Sequence, residues 1–199
     1  MAGGHLRGAA YDARFDDLAA RGVDVHGEAD LVAGLVAALP APGDGATART
    51  VLDAGCGTGR VAIELARRGL RVVGLDVDPV MVGRAREKAP ELDWRLADLA
   101  SAAGLGVGPV DLAVLAGNVM IFVPPASEGR VLANVAAAVR PGGLVVAGFQ
   151  LHAGGLDVAT YDRHADAAGL RLVDRYATWD RAPFTGPPAP YAVSVHRRS

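Results

Sequence analysis

Seven residues, Asp53-Ala-Gly-Cys-Gly-Thr-Gly59, carry the strongest chemical signal in the chain. Glycines at 55, 57 and 59 let a backbone turn sharply and approach a ligand, and a helix that follows offers unpaired N–H groups. Turns of this kind between a strand and a helix serve dinucleotides, nucleotides and other cofactors. The spacing narrows the choice. A dinucleotide fingerprint needs glycine at 55, 57 and 60, with a pyrophosphate on the helix N-terminus. Position 60 is Arg, and the third glycine arrives one residue early. Asp53 stands just ahead of the glycines, where its charge repels a pyrophosphate and attracts a cation.

Two further acids occupy equivalent places. Asp76 closes Gly74-Leu-Asp76, at a distance from Asp53 where a carboxylate accepts both hydroxyls of a ribose. Asp98 follows the next strand. Its carboxylate can accept from an adenine amino group, and the N–H of Leu99 can face a ring nitrogen. Three acids at the carboxyl ends of three strands describe a ligand with a ribose, an adenine and a positive charge, but no phosphate.

The elements that must position these groups follow from periodicity. Helices are predicted over Tyr11 to about Arg21 and over Glu28 to Leu39, followed by breakers at Pro40, Pro42, Gly43 and Gly45. From Thr50 the rhythm changes. Strands are predicted at 50–54, 70–75, 92–96, 111–116 and 143–149, with helices at 60–68, 79–89, 127–139 and 157–168. Such alternation predicts a parallel sheet covered by helices on both faces. Leu170 to Ala177 and Tyr191 to His196 alternate in polarity, and the proline-rich 181–190 leaves no room for a crossover helix. They are expected to pair antiparallel at one sheet edge.

Composition sets the class. The chain has 199 residues, 51% hydrophobic and 21% charged, which suits one globular domain. The net charge is −2, and the basic residues are arginines apart from Lys88, so no positive field draws nucleic acid or an anionic membrane. A single cysteine, Cys56, excludes an internal disulfide and a cysteine-based zinc site. Residues 1–10 read as a loose terminus without the apolar stretch of a secretory signal, and the longest uncharged runs fall short of a membrane span. A cytoplasmic location is expected.

Residues 50–150 resemble the class I S-adenosylmethionine-dependent methyltransferases. The resemblance rests on Val51-Leu-Asp-Ala-Gly-Cys-Gly-Thr-Gly-Arg60, Val73-Gly-Leu-Asp-Val-Asp-Pro79, Leu96-Ala-Asp-Leu99, Asp111 to Phe122 and Val139-Arg-Pro-Gly-Gly143, all in order. It implies a Rossmann-like α/β fold with a seven-stranded sheet in the order 3-2-1-4-5-7-6, strand 7 antiparallel. Residues 1–199 then form one methyltransferase domain: a helical cap at 1–48, a cofactor-binding core at 50–150 and a helix with an edge hairpin at 151–199.

The resemblance also assigns roles. Gly55 and Gly57 bring backbone close to the methionine part of S-adenosyl-L-methionine, with Cys56 packed in the turn. Asp53 orients the turn and can reach the ammonium group through water. Asp76 binds the ribose hydroxyls. Val77 flanks the adenine, Asp98 takes its amino group, and Leu99 covers it. Gly117 and Asn118 lie near the methyl group. Tyr11 and Arg60 are candidates for the cofactor carboxylate. Bland alternatives stand beside these: glycines that pack helix on strand, Asp98 as a helix cap, and Tyr11 and Phe15 as core residues.

Methyl transfer from a sulfonium is an in-line displacement. The enzyme mainly has to hold a nucleophile in line with the carbon–sulfur bond, and a base is needed only if the nucleophile must lose a proton. His26 and His152 are the candidate bases. No metal is expected, because Phe149-Gln-Leu-His-Ala-Gly-Gly155 lacks acidic ligands. A small-molecule acceptor is favoured over nucleic acid, since Pro124 and Pro125 follow the fourth strand too late for a base-methylating motif. Val119 to Phe122 would form either an acceptor wall or part of the core. The alternatives are a nicotinamide-dependent oxidoreductase and a non-catalytic S-adenosylmethionine-binding protein.

Overall fold

The computed structural model describes residues 8–40, 48–186 and 188–199. The predicted breakers at 42, 43 and 45, and most of the predicted loose terminus, lie outside these residues. The terminus ends earlier than expected, because α1 already starts at Ala9 and runs Ala9–Ala20. Next come α2 (Gly27–Ala37), β1 (Thr50–Ala54), α3 (Arg60–Arg67), β2 (Arg71–Asp76), α4 (Pro79–Lys88) and β3 (Asp93–Leu96). Then follow β4 (Val110–Leu115), α5 (Val119–Phe122), α6 (Glu128–Ala138), β5 (Val139–Gln150), α7 (Val158–Ala167), β6 (Leu170–Tyr176) and β7 (Tyr191–Arg198).

The strands form one sheet in the order β3-β2-β1-β4-β5-β7-β6. The first five are parallel neighbours, and β7 runs antiparallel between β5 and β6. The central strands are buried almost throughout, as expected of parallel strands covered on both faces. Leu31, Val32, Leu65 and Val82 from α2, α3 and α4 fill one side. Met120, Leu132, Tyr161 and Ala165 from α5, α6 and α7 fill the other. No helix among the described residues is long and apolar enough to cross a membrane.

The strand expected at 143–149 begins at Val139 instead. Pairing with β4 jumps from Val110↔Val139 to Leu112↔Leu144, so Arg140-Pro-Gly-Gly143 bulges out of the ladder. A bulge tolerates the proline there. Glycine is required at 143, where a Cβ would lie 2.6 Å from the Asp111 carbonyl oxygen. The bulge is braced from below, where Arg49 and Arg140 both donate to Asp111, at 2.8 and 2.9 Å.

Candidate active site

The glycine turn hangs from the carboxyl ends of β1 and β2. The N–H groups of Gly55 and Cys56 both donate to the Leu75 carbonyl, at 2.7 and 2.8 Å. Gly55, Gly57 and Gly59 all have positive φ, which L side chains resist. The three have different surroundings. A Cβ on Gly55 would lie 2.4 Å from Cγ2 of Val119, and one on Gly59 would lie 2.5 Å from the Trp94 ring. Those two glycines admit neighbouring side chains. Gly57 is half-buried, with only Met81 nearby, at 3.3 Å from a Cβ. Cys56 is buried, and that burial pushes its thiol well above the ordinary range.

Asp76 ties the turn to the strand beside it. One carboxylate oxygen accepts the N–H of Gly57 at 2.8 Å, and the other accepts the N–H of Asp78 at 2.9 Å. Asp78 caps α4 by accepting from Val80 at 2.9 Å, so capping falls to Asp78 and not to Asp76. Each Asp76 oxygen keeps a lone pair for a hydroxyl donor. Register places Asp76 opposite Leu96, and Ala97 donates to the Asp76 carbonyl at 2.9 Å. This brings Asp98 to the neighbouring strand end. Asp98 is exposed, and one of its oxygens accepts from Ala100 at 2.8 Å. Val77 is 66% exposed beside them, whereas Leu99 is buried in the core.

Asp53 is fully enclosed and accepts the N–H of Ala62 at 3.1 Å. Burial pushes its pKa up to about 7, against the opposing charge of Arg60. Arg60 itself is engaged. It holds both oxygens of Glu28, at 2.5 and 3.0 Å, donates to the Val25 carbonyl, and lies 4.3 Å over the Phe15 ring. Its Nε is buried without a hydrogen-bond partner. Tyr11 stacks on Phe15 at 5.0 Å, and its hydroxyl lies 3.9 Å from where a Cβ on Gly117 would stand. The fold therefore brings Tyr11, Arg60 and Gly117 together over the turn.

Gly117 and Asn118 are both left-handed, with φ of 68° and 71°. Asn118 tolerates this better than most residues. Its amide oxygen accepts from Gln150 at 2.8 Å, tying the β4 turn to the end of β5. Of the predicted wall residues, Met120 is buried, Val119 packs on Gly55 and Phe122 is 54% exposed. The two histidines lie apart in the chain's architecture. His26 precedes α2, and its Nδ1 is 3.9 Å from Glu64. His152 follows β5 with its ring against Gly155.

Sequence reasoning passed over three features of this region. Asp12 of α1 accepts from Thr58 at 2.6 Å, Lys88 at 2.8 Å and Arg84 at 3.0 Å, which clamps α1 to the glycine turn and α4. Glu28 neutralises Arg60. Trp179, in the turn after β6, packs on Gly148, where a Cβ would lie 2.3 Å from the indole. Trp179 also forms part of an open cavity of about 440 Å³ together with Phe15, Leu18, Val25 and Arg60. The cavity adjoins the turn without including Gly57, Asp76 or Asp98. Among the described residues no group of three or more His, Cys, Asp or Glu is placed to hold a metal ion.

Residues 51–143 match the family described as Methyltransferase domain. The crystal structure of a TehB-like S-adenosylmethionine-dependent methyltransferase from Corynebacterium glutamicum superposes with a TM-score of 0.82 at 34% identity, covering 95% of this chain and 96% of that one. A magnesium-protoporphyrin O-methyltransferase from Rhodobacter capsulatus is 34% identical over 97 residues, 46% of this chain and 42% of the relative. A trans-aconitate 2-methyltransferase from Azoarcus sp. is 37% identical over 100 residues, 49% of this chain and 38% of the relative. Less than half the length of these curated relatives is therefore matched.

Proposed function

This chain belongs to the class I S-adenosylmethionine-dependent methyltransferases, and on that premise we propose that it methylates a small-molecule acceptor by in-line displacement. Asp76 carries the reading. Its carboxylate is fixed by two backbone N–H groups, bridges the glycine turn and the end of β2, and keeps acceptor capacity for two ribose hydroxyls. The residues present fit the cofactor in other respects too. Gly57 leaves room for close approach, Val77 offers an exposed apolar face, and Asp53 favours a cationic ligand.

S-adenosylmethionine, when bound, supplies a methyl group whose carbon–sulfur bonding pair stays on sulfur while an acceptor lone pair forms the new bond to carbon, giving S-adenosyl-L-homocysteine. The chain's own part is orientation. Asp76 and Asp98 hold the nucleoside end, and Tyr11 and Arg60 close over the end near Gly117. Arg60 is paired with Glu28, so its share in holding a carboxylate falls to its remaining donors. Of the two proposed proton acceptors, His152 is better placed, on the carboxyl side of β5; His26 is turned toward Glu64.

The acceptor is proposed to be a small molecule, not nucleic acid, on the net charge of −2 and the single lysine. The protein is proposed to work in the cytoplasm. We read residues 1–199 as one unit, because β7 pairs with β5 along 144–150 and Asp12 joins α1 to the core. Asp76→Ala tests the proposal. It is expected to weaken S-adenosylhomocysteine binding by ~1–3 kcal/mol, the scale of a charged hydrogen bond, with circular dichroism unchanged. Unaltered affinity by calorimetry removes Asp76 from the site. Binding of NADH in place of S-adenosylhomocysteine would revive the oxidoreductase alternative.

A further inference from the structure

We propose that the cavity between α1, the start of α2 and Trp179 seats the methyl acceptor, and that it selects a flat apolar molecule carrying a positive charge. The inference rests on the methyltransferase reading and adds the chemical class of its acceptor.

Location comes first. Trp179 packs on Gly148 of β5, and the Gly148 carbonyl accepts the N–H of Asn118 at 3.3 Å. The indole thus stands against the carboxyl ends of β4 and β5. On the other side Arg60 and Phe15 connect the cavity to Tyr11, whose hydroxyl reaches Gly117. The cavity therefore flanks the end of the cofactor crevice away from Asp76 and Asp98. Its volume of about 440 Å³ lies within the range of small-molecule sites.

The walls define the body of the ligand. Phe15, Leu18, Val25 and Trp179 line the cavity. The indole is held in place: its Nε1–H donates to the Tyr191 hydroxyl at 3.2 Å, and Gly27 packs on its Cβ. A fixed aromatic side chain beside Phe15, Leu18 and Val25 suits a flat, apolar ligand.

The charges define the rest. Four charged residues border the cavity: Asp24, Glu28, Arg60 and Asp180. Glu28 and Arg60 cancel through their bidentate pair. Asp24 accepts the backbone N–H of His26 at 2.8 Å, and Asp180 accepts from the Thr178 hydroxyl. Neither forms an ion pair among the described residues. Asp24 and Asp180 are exposed, and two uncancelled carboxylates at the rim attract a cation and oppose an anionic acceptor.

Three probes that share a phenyl ring on a two-carbon chain test the charge preference: 2-phenylethylamine, 2-phenylethanol and 3-phenylpropionate. Each is titrated at pH 7 into the full chain by calorimetry, and S-adenosylhomocysteine binding is measured separately in the same way. The amine is expected to bind about ten-fold more tightly than the carboxylate. Asp24→Asn with Asp180→Asn should bring the two to parity without changing S-adenosylhomocysteine affinity. Trp179→Ala should weaken all three probes, and Trp179→Phe, which keeps an aromatic face if the alanine variant does not fold, should retain the order. The inference is overturned if S-adenosylhomocysteine binds while the amine has no advantage, if no probe saturates, or if the double variant leaves the advantage intact. Failure of S-adenosylhomocysteine to bind overturns the methyltransferase reading instead, and the acceptor assignment falls with it.

Discussion

Asp53 on β1 and His196 on β7 are both enclosed ionisable groups in one sheet, yet their surroundings differ. Asp53 has a backbone donor at 3.1 Å and the charge of Arg60 nearby, and it sits under the turn where a cationic ligand is proposed to bind. His196 lies under α7. Neither of its ring nitrogens has a hydrogen-bond partner, and its Nε2 is 3.5 Å from Asp162, which is itself paired with Arg175 at 2.5 Å. The Tyr161 hydroxyl beside it is unpartnered as well. At the turn, a buried charge is positioned for a ligand to compensate. Under α7 the same kind of cost has no such outlet, and the fold carries it permanently.

The largest effect is expected from His196→Leu. Burial pushes the His196 pKa down, with Asp162 and Asp166 opposing and Arg175 reinforcing. The unfolded chain therefore takes up the proton first. Stability is full above about pH 6.5 and falls as the pH drops below it. Leucine fills similar space without polar atoms. It should add ~1–2 kcal/mol at pH 7, roughly 2–8 °C in Tm, and flatten the loss between pH 7 and 5. A lower Tm with the acid sensitivity retained would mean the ring is satisfied by water.

Asp53 should respond in the opposite sense. Its raised pKa means that the folded chain binds the extra proton, so the contribution to stability falls as pH rises from about 4 to about 7. A cationic ligand draws the proton off. Affinity for S-adenosylhomocysteine, whose ammonium group is charged, should rise about three- to ten-fold from pH 6 to pH 8. Asp53→Asn should remove most of that slope. The same slope in the variant would assign it to another group.

The smallest effect on stability is expected from Asp12→Ala. No residue of α1 is fully buried, and although Asp12 and Thr58 are largely enclosed, the two charged arms of the clamp, Arg84 and Lys88, are partly exposed. A loss below ~1 kcal/mol is expected. Limited proteolysis should nonetheless cut between α1 and α2 faster, and S-adenosylhomocysteine should dissociate faster. Unchanged cleavage and dissociation would show that α1 is held mainly by Tyr11 and Phe15.

The parallel half of the sheet was legible because short apolar runs, among them Val51-Leu52, Val72-Val73 and Leu112 to Leu115, alternate with segments of helical periodicity. The start of β5 was not, since Arg140-Pro-Gly-Gly143 reads as a breaker while the ladder resumes beyond a bulge. The single turn of α5 was too short for periodicity to show. At the site, the glycine turn was legible from its residue types alone. Asp12, Glu28 and Trp179 act through partners distant in sequence: Asp12 reaches Thr58, Arg84 and Lys88, which lie 46, 72 and 76 residues away. Pairings of that reach leave no trace in local spacing.

Trp94 sits beneath the site. Its indole occupies the space that a side chain on Gly59 or Gly74 would need, 2.5 and 2.4 Å from the Cβ positions, and its Nε1–H is held by Ala89 at 2.7 Å. Positions 59, 74 and 94 therefore share one fixed volume. Natural variants that enlarge residue 74 should arise only where residue 94 has already shrunk, so the packing beneath the glycine turn evolves as a linked set of residues and not position by position.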